Sequence, residues 1–342
     1  MKAKILSVVM ILALILAACG GSGNDGAASG GSTNADGKQV IRVSIGVNDK
    51  HPQYEGAVKF KELVESQTDD FKVEVYHSGQ IADDRSAIEM LQFGTLEVTI
   101  PSTSPLINFV PAYGVFDLPF TIPSAEVADT VLDGPFGSKM LDLLDEQNLV
   151  GLAWWENGFR QLTNNARPVA TMDDLKGLKI RTMESEIHLD SWKALGANPT
   201  PMAFTELFSG MQQGTIDGQE NPYPTIELSQ YAEVQEHLSN TNHVYTPFVF
   251  LFSKPVWDTY TAEQQEILSN AALEAGTFNR ERSREVATES LEKLKEVMTF
   301  TEISPEEHQR FADAVQPVIE KHADSIGKDI VDEFLAEIEN AQ

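Results

Sequence analysis

The sequence predicts an α/β protein of two lobes around a cleft, with one long helix running across both. Three observations lead there. From residue 40 onward, apolar residues at alternating and then helical spacing follow one another as strand, helix, strand, helix, strand. A second set of the same kind begins near Leu149. Between Thr261 and Met298 the chain then holds helical spacing with no proline and a single glycine, Gly276.

Val40 to Val47 alternates, with Ile41, Val43, Ile45 and Val47 on one face, and reads as a strand. Tyr54 to Thr68 carries Ala57, Phe60, Leu63 and Val64 at helical spacing. Phe71 to Tyr76 is a second strand, Asp83 to Phe93 a helix with Ile88 and Leu91 inward, and Leu96 to Ile100 a third strand. This order predicts a parallel sheet with right-handed crossovers, whose ligands sit beyond the carboxyl ends of the strands. The loops at those ends are Asn48-Asp49, Gly79 to Arg85, and Pro101 to Ser104. In the second half, Leu149 to Trp154, Leu178 to Arg181 and Val244 to Phe252 read as strands. Ile187 to Leu195 and Thr205 to Gln213 read as helices. Thr261 and Gln264 fit a capping box for the long helix. About 37 residues at 1.5 Å each span roughly 55 Å, enough to cross both lobes. The alternative is two helices parted near Gly276.

The first residues read as an address. Lys2 and Lys4 precede an apolar run from Ile5 to Ala18. That run is shorter than the roughly 18–20 residues of a spanning helix, so it reads as a signal-peptide core rather than an uncleaved anchor. Leu16-Ala17-Ala18-Cys19 follows, resembling a bacterial lipobox, and Cys19 is the only cysteine in the chain. The expectation is a signal peptide over 1–18, then a lipidated Cys19 and a flexible Gly/Ser-rich tether to residue 38.

Lys and Arg total 25 against 52 Asp and Glu, a formal charge of −27. Such a field repels nucleic acid, and no Lys/Arg cluster offsets it. It repels anions too, so an anionic ligand requires buried arginines close at hand. The seven histidines fit no metal-ligand spacing, and neither a G-x-S-x-G elbow nor a phosphate loop occurs. No catalytic constellation, metal site or cofactor is expected.

Several segments carry a family resemblance. They are Gly79-Gln80-Ile81-Ala82-Asp83-Asp84-Arg85, Glu156-Asn157-Gly158-Phe159-Arg160 with Thr163-Asn164-Asn165, and Asp174-Leu175-Lys176-Gly177-Leu178-Lys179-Ile180-Arg181. Leu195 to Phe204 (LGANPTPMAF) and Asp217-Gly218-Gln219-Glu220-Asn221-Pro222 complete the set. In this order and spacing, over about residues 40 to 340, they resemble the DctP-type solute-binding subunits of TRAP transporters. The resemblance implies a periplasmic-binding-protein-like fold that closes on a small organic anion, a C4-dicarboxylate or a sugar acid such as a hexuronate. It also implies a small and a large membrane subunit as partners, with uptake driven by an ion gradient. The lobes are expected at 40–157 plus 247–286 and at 158–246 plus 287–342.

By the same resemblance Arg181 holds the ligand carboxylate, Arg160 is a second ligand arginine, Asn221 hydrogen-bonds the ligand and Phe204 packs beside it. A guanidinium suits that task because it forks two N–H bonds onto a carboxylate and stays protonated. Asn48, Asp84 and Ser102 fall on cleft-lining positions. Sialic-acid-binding members carry Glu where this chain has Ser102 and Asn where it has Glu184, which turns the reading away from sialic acid. Glu184 is instead expected to accept bonds from ligand hydroxyls. Arg85 is either a helix-end ion pair or a ligand contact. Trp154 and Trp155 are either pocket wall or core. Glu220 is expected to hold the second lobe together, and Arg167 to be solvated. Two other functions are the alternatives: a ligand sensor presenting its closed form to a membrane receptor, which would share every residue named, and an extracytoplasmic enzyme acting on acidic sugars, which would need a catalytic constellation the sequence does not display.

Overall fold

The computed structural model describes residues 33–342 apart from Ala35. The expected signal peptide at 1–18 and the expected lipidation site Cys19 lie outside the described residues. Residues 36–38 form a turn rather than open coil, with Asn34 Oδ1 accepting from the Asp36 and Lys38 amides and a bridge between Thr33 and Gln39.

The strands are β1 (Gln39–Ser44), β2 (Phe71–Tyr76), β3 (Val98–Thr99), β4 (Leu149–Phe159), β5 (Gln161–Asn164), β6 (Lys179–Thr182), β7 (Asn198–Pro201), β8 (Gly218–Asn221), β9 (His237–Ser239), β10 (Tyr245–Ser253) and β11 (Thr299–Thr301). They form two sheets, ordered β2-β1-β3-β10-β4 and β11-β9-β5-β8-β6-β7. In the first sheet β1, β2 and β3 are parallel, as the strand–helix alternation predicts. β10 runs antiparallel to both β3 and β4, so the sheet is mixed. The reason is topological: β4 carries the chain out of this sheet into the second, and β10 brings it back.

The helices are α1 (Pro52–Gln67), α2 (Asp84–Gln92), α3 (Thr103–Leu106), α4 (Ala125–Asp133), α5 (Pro135–Asp142), α6 (Glu186–Ala194), α7 (Leu207–Gln212), α8 (Tyr223–Leu228), α9 (Lys254–Trp257), α10 (Ala262–Val297), α11 (Pro305–Ile326) and α12 (Lys328–Ala341). α10 is one unbroken helix of 36 residues, started by the Thr261–Gln264 capping box. Gly276 does not break it, because its job is close approach. A Cβ there would lie 2.8 Å from Trp155 Cδ1, and one at Gly56 on α1 would lie 2.6 Å from Trp155 Cζ3. The two glycines let the indole lie between both helices and donate from Nε1 to the Ala272 carbonyl at 3.1 Å. Trp155 is thus core of the first lobe and not pocket wall, and Trp154 is likewise buried, donating to Gly137 O.

One end of α10 packs on the first sheet through Leu268, Ala271, Ala272 and Ala275. The other end closes the second lobe, where Leu294 and Met298 join Leu207, Met211, Ile216 and Leu238. α11 packs on α6 of the second lobe, whereas α12 packs on α4 and α5 of the first, although the sequence reading groups 287–342 with the second. Arg167, expected in solvent, donates to the Asp174 and Lys176 carbonyls and closes the turn between them.

Candidate functional site

A cleft lined by residues of both lobes lies between them, the position at which small-molecule sites commonly form. The first lobe contributes Gly46 and Val47 after β1, Gln53 on α1, Asp83 to Arg85 at the start of α2, Ser102 before α3, and Asn157 from β4. The second contributes Arg181 on β6, Met183 and Glu184 after it, Met202 to Phe204 after β7, Asn221 at the end of β8, and Thr225 on α8. Phe248 of β10 also lines it. The carboxyl-end loops of both sheets therefore converge, as parallel strands followed by helices dictate.

Arg181 is the central basic group. It is buried, its Nε donates to the Met202 carbonyl at 2.8 Å, and its Nη1 has no partner. No carboxylate lies within ion-pair distance of it among the described residues. Burial draws its pKa down to about 10, against the pull of Glu220, so it remains a cation at neutral pH. A buried donor without an acceptor costs free energy that a ligand oxygen recovers.

Arg160 is placed differently. It does not line the cavity. Its Nε and Nη2 grip the Glu220 carboxylate, and Nη2 also donates to Asn221 Oδ1 at 3.2 Å. His243 Nε2 approaches the same carboxylate at 3.0 Å. Burial pushes Glu220 up, but the Arg160 charge and His243 outweigh it and hold Glu220 well below the ordinary carboxylate range. The Arg160 charge is therefore spent inside the second lobe, where Glu220 was expected to act, and what reaches the cavity is the orientation of Asn221.

Asp84 lines the opposite wall. Burial pushes its carboxyl up to about 6, helped by Asp83 and Glu184 and opposed by the Ser102 amide and Arg181. Ser102 Oγ lies 3.2 Å from Asn157 Nδ2, and Asn157 Oδ1 is buried without a partner. Arg85 sits at the rim, 3.5 Å from Glu89 and 4.0 Å from Glu184, so both readings of it meet there. Phe204 and Glu184 line the cavity as expected. Asn48 does not line it: its Nδ2 donates to the Leu228 carbonyl of the other lobe at 2.8 Å.

A second contact between the lobes involves His51. Its Nδ1 accepts from the Gln53 amide as the N-cap of α1, which leaves the proton on Nε2, 3.2 Å from Thr225 Oγ1. Burial lowers its pKa to about 3, so the ring is neutral. Sequence reasoning missed His51, Gln53, Asn157, Thr225, Met183, Met202 and Phe248. Only Asn157 carried a signal, standing inside the Glu156-Asn157-Gly158 segment.

Two mixed sheets joined by crossing strands, with side chains from both aimed into one enclosed space, define a solute-binding protein. The family model for bacterial extracellular solute-binding protein, family 7 (DctP) matches residues 43–325. A solute-binding protein of Verminephrobacter eiseniae is 37% identical over 290 residues, covering 84% of this chain and 86% of that protein. The C4-dicarboxylate-binding protein DctB of Bacillus subtilis is 32% identical, covering 86% and 85%. Among solved structures, the sugar acid binding protein DctPAm of Advenella mimigardefordensis in complex with galactonate gives a TM-score of 0.88 at 40% identity, covering 89% of this chain and 99% of that one. A TRAP periplasmic solute-binding protein of Polaromonas sp. JS666 bound to D-erythronate gives 0.84 at 37%, covering 87% and 98%. The chain belongs to the DctP family, the extracytoplasmic solute-binding subunits of TRAP transporters. These capture small organic acids for membrane subunits and are not enzymes. Among the described residues no helix is long and apolar enough to cross a membrane, and no His, Cys, Asp and Glu cluster suits a metal ion.

Proposed function

We propose that the cavity takes one small organic acid, a C4-dicarboxylate or a sugar acid, with its carboxylate on Arg181 and its body against Phe204. The observation that carries this is Arg181 itself, a buried guanidinium that lines the cavity between the lobes and whose Nη1 has no partner. Asn221, Ser102, Asp84 and Glu184 complete the contacts, Arg85 guards the rim, and Arg160 acts through Asn221. Galactonate and D-erythronate in the related structures support an acid of this kind. The lobes, divided at about 157/158, 246/247 and 286/287 with α12 attached to the first, close by bending at these crossings. Asn48 and His51 engage the second lobe on closure. Lipid on Cys19 holds the protein at the membrane beside the small and large transporter subunits.

Calorimetry with organic acids on wild type and Arg181→Ala tests the site. Truncating one member of a desolvated charge pair costs about 2–5 kcal/mol, roughly 30-fold to several thousand-fold in affinity. Arg181→Lys recovers only part, because an ammonium lacks the planar fork. A folded Arg181→Ala protein binding within about threefold of wild type would overturn the assignment.

A further inference from the structure

The cavity has an uneven supply of donors and acceptors. On the second-lobe side, Arg181 is a guanidinium with a free donor. The Arg160 charge is paired with Glu220, and although its Nη1 is also buried without a partner, Arg160 does not line the cavity. Across the cleft, the first-lobe Arg85 faces Glu89 and Glu184 at the rim. That leaves one cationic seat for one carboxylate.

Inside the rim, the first-lobe side presents the acceptors Asp84 and Asn157 beside the Ser102 hydroxyl, which can donate as well as accept. Asp84 forms no ion pair within 4.0 Å among the described residues, and the charges that act on it are Asp83 and Glu184 on one side and Arg181, across the cavity, on the other. Asn157 is 5% exposed, its Nδ2 is committed to Ser102 Oγ, and its Oδ1 has no partner. An ionised carboxylate is acceptor-only, and so is an amide oxygen. Groups of this kind need O–H donors from the ligand. A second ligand carboxylate brings none, and it adds a like charge next to Asp84 in a poorly solvated space.

We propose that Asp84 and Asn157 form a hydroxyl-reading wall that selects hydroxylated monocarboxylates and rejects dicarboxylates of equal length. This rests on the placement of the ligand carboxylate at Arg181. The ligand spans the cleft, with its carboxylate on the second lobe and its hydroxyls on the first. Occupying both walls at once is what favours the closed arrangement. An acid lacking hydroxyls leaves the Asn157 oxygen unpaired, and a diacid confronts Asp84 with a second charge.

The test uses two matched pairs of probes: galactonate with galactarate, which differ only in a terminal hydroxymethyl against a carboxylate, and D-erythronate with succinate. Titration calorimetry at pH 7.5 on the mature protein is expected to show each monoacid binding roughly tenfold or more tighter than its diacid. Asp84→Asn keeps the shape and removes the charge, so it should shrink the galactonate/galactarate ratio to within about threefold. Thermal unfolding checks that the variant is folded, and the wild-type ratios stand without it. Diacids that bind as well as their monoacids, or an Asp84→Asn ratio equal to wild type, overturn the hydroxyl reading alone. A wild type that binds none of the four acids overturns the Arg181 placement as well.

Discussion

Replacing Glu220 by glutamine exchanges one oxygen for an amide nitrogen and removes one charge. Its consequence follows from what surrounds it. Oε2 takes Arg160 Nε and His243 Nε2, and Oε1 takes Arg160 Nη2 at 3.0 Å. An amide NH2 at either position meets an Arg160 N–H head-on. His243 can offer a bare nitrogen by changing tautomer, but Arg160 cannot lose its proton. A guanidinium is left buried without its counter-charge, and removing one member of such a pair costs about 3–5 kcal/mol. Urea unfolding of wild type and Glu220→Gln at pH 7.5, with m-values compared, measures the loss. Because native Glu220 titrates below its unfolded value, its stabilisation is present above about pH 4.5 and fades as acid protonates it. The gap between the two proteins should therefore narrow at low pH. A loss under 1 kcal/mol at pH 7.5 would refute the pairing argument. The double variant Arg160→Met with Glu220→Leu should recover most of the stability, since two apolar groups need no counter-charge.

Two further outcomes are expected. Closure keeps His51 neutral at a pKa near 3, whereas an exposed histidine titrates near 6.5, so closing releases a proton below pH 6.5 and binding weakens there. Asp84, raised to about 6, works in the opposite sense between about pH 6 and 4, so the ratio of wild-type to His51→Asn affinities is the clean measure. It should fall by up to tenfold per pH unit below 6.5, and a ratio flat from pH 7.5 to 5.5 counts against His51. For the anchor, metabolic labelling with a fatty-acid analogue should mark the wild type and leave Cys19→Ala unmarked. Label on the variant, or none on the wild type in a competent host, sinks the assignment.

The first half of the fold was readable because β1, α1, β2 and α2 each carry a single, unmixed period, and the structure places α1, β2 and α2 within two residues of the sequence reading, while β1 ends three residues early at Ser44. β3 shrank to Val98–Thr99, because an apolar run marks burial, not the number of ladder bonds. β5 and β8 were missed for a related reason. Their residues, such as Gln161, Thr163, Gln219 and Asn221, are polar yet buried, paired through bonds like Gln219 Nε2 to Thr163 Oγ1 at 3.0 Å. No hydrophobic pattern reports a strand whose side chains satisfy one another. Arg181 was legible by its place at a strand end. His51 and Thr225 were not, since their meaning lies in a contact between residues 174 positions apart.

The two arginines show why residue type alone does not fix a role. Both are buried, and the family pattern points both at a ligand. What separates them is one carboxylate. The antiparallel pairing of β5 with β8 sets Leu162 opposite Glu220 and Gln161 opposite Asn221. Arg160 stands just before β5 and so reaches both residues. Glu220 takes its charge, and Asn221 Oδ1 takes a remaining N–H. Asn221 Nδ2 is held in turn by Gln219 Oε1, so the amide that faces the cavity cannot rotate freely. Arg181, on β6, has no such carboxylate and keeps its charge for the cavity. In a protein of formal charge −27 this matters, because bulk attraction contributes nothing to drawing in an anion. Selectivity must come from a short-range, desolvated cation whose strength depends on water being excluded, and that exclusion is supplied by the lobes meeting at Asn48 and His51.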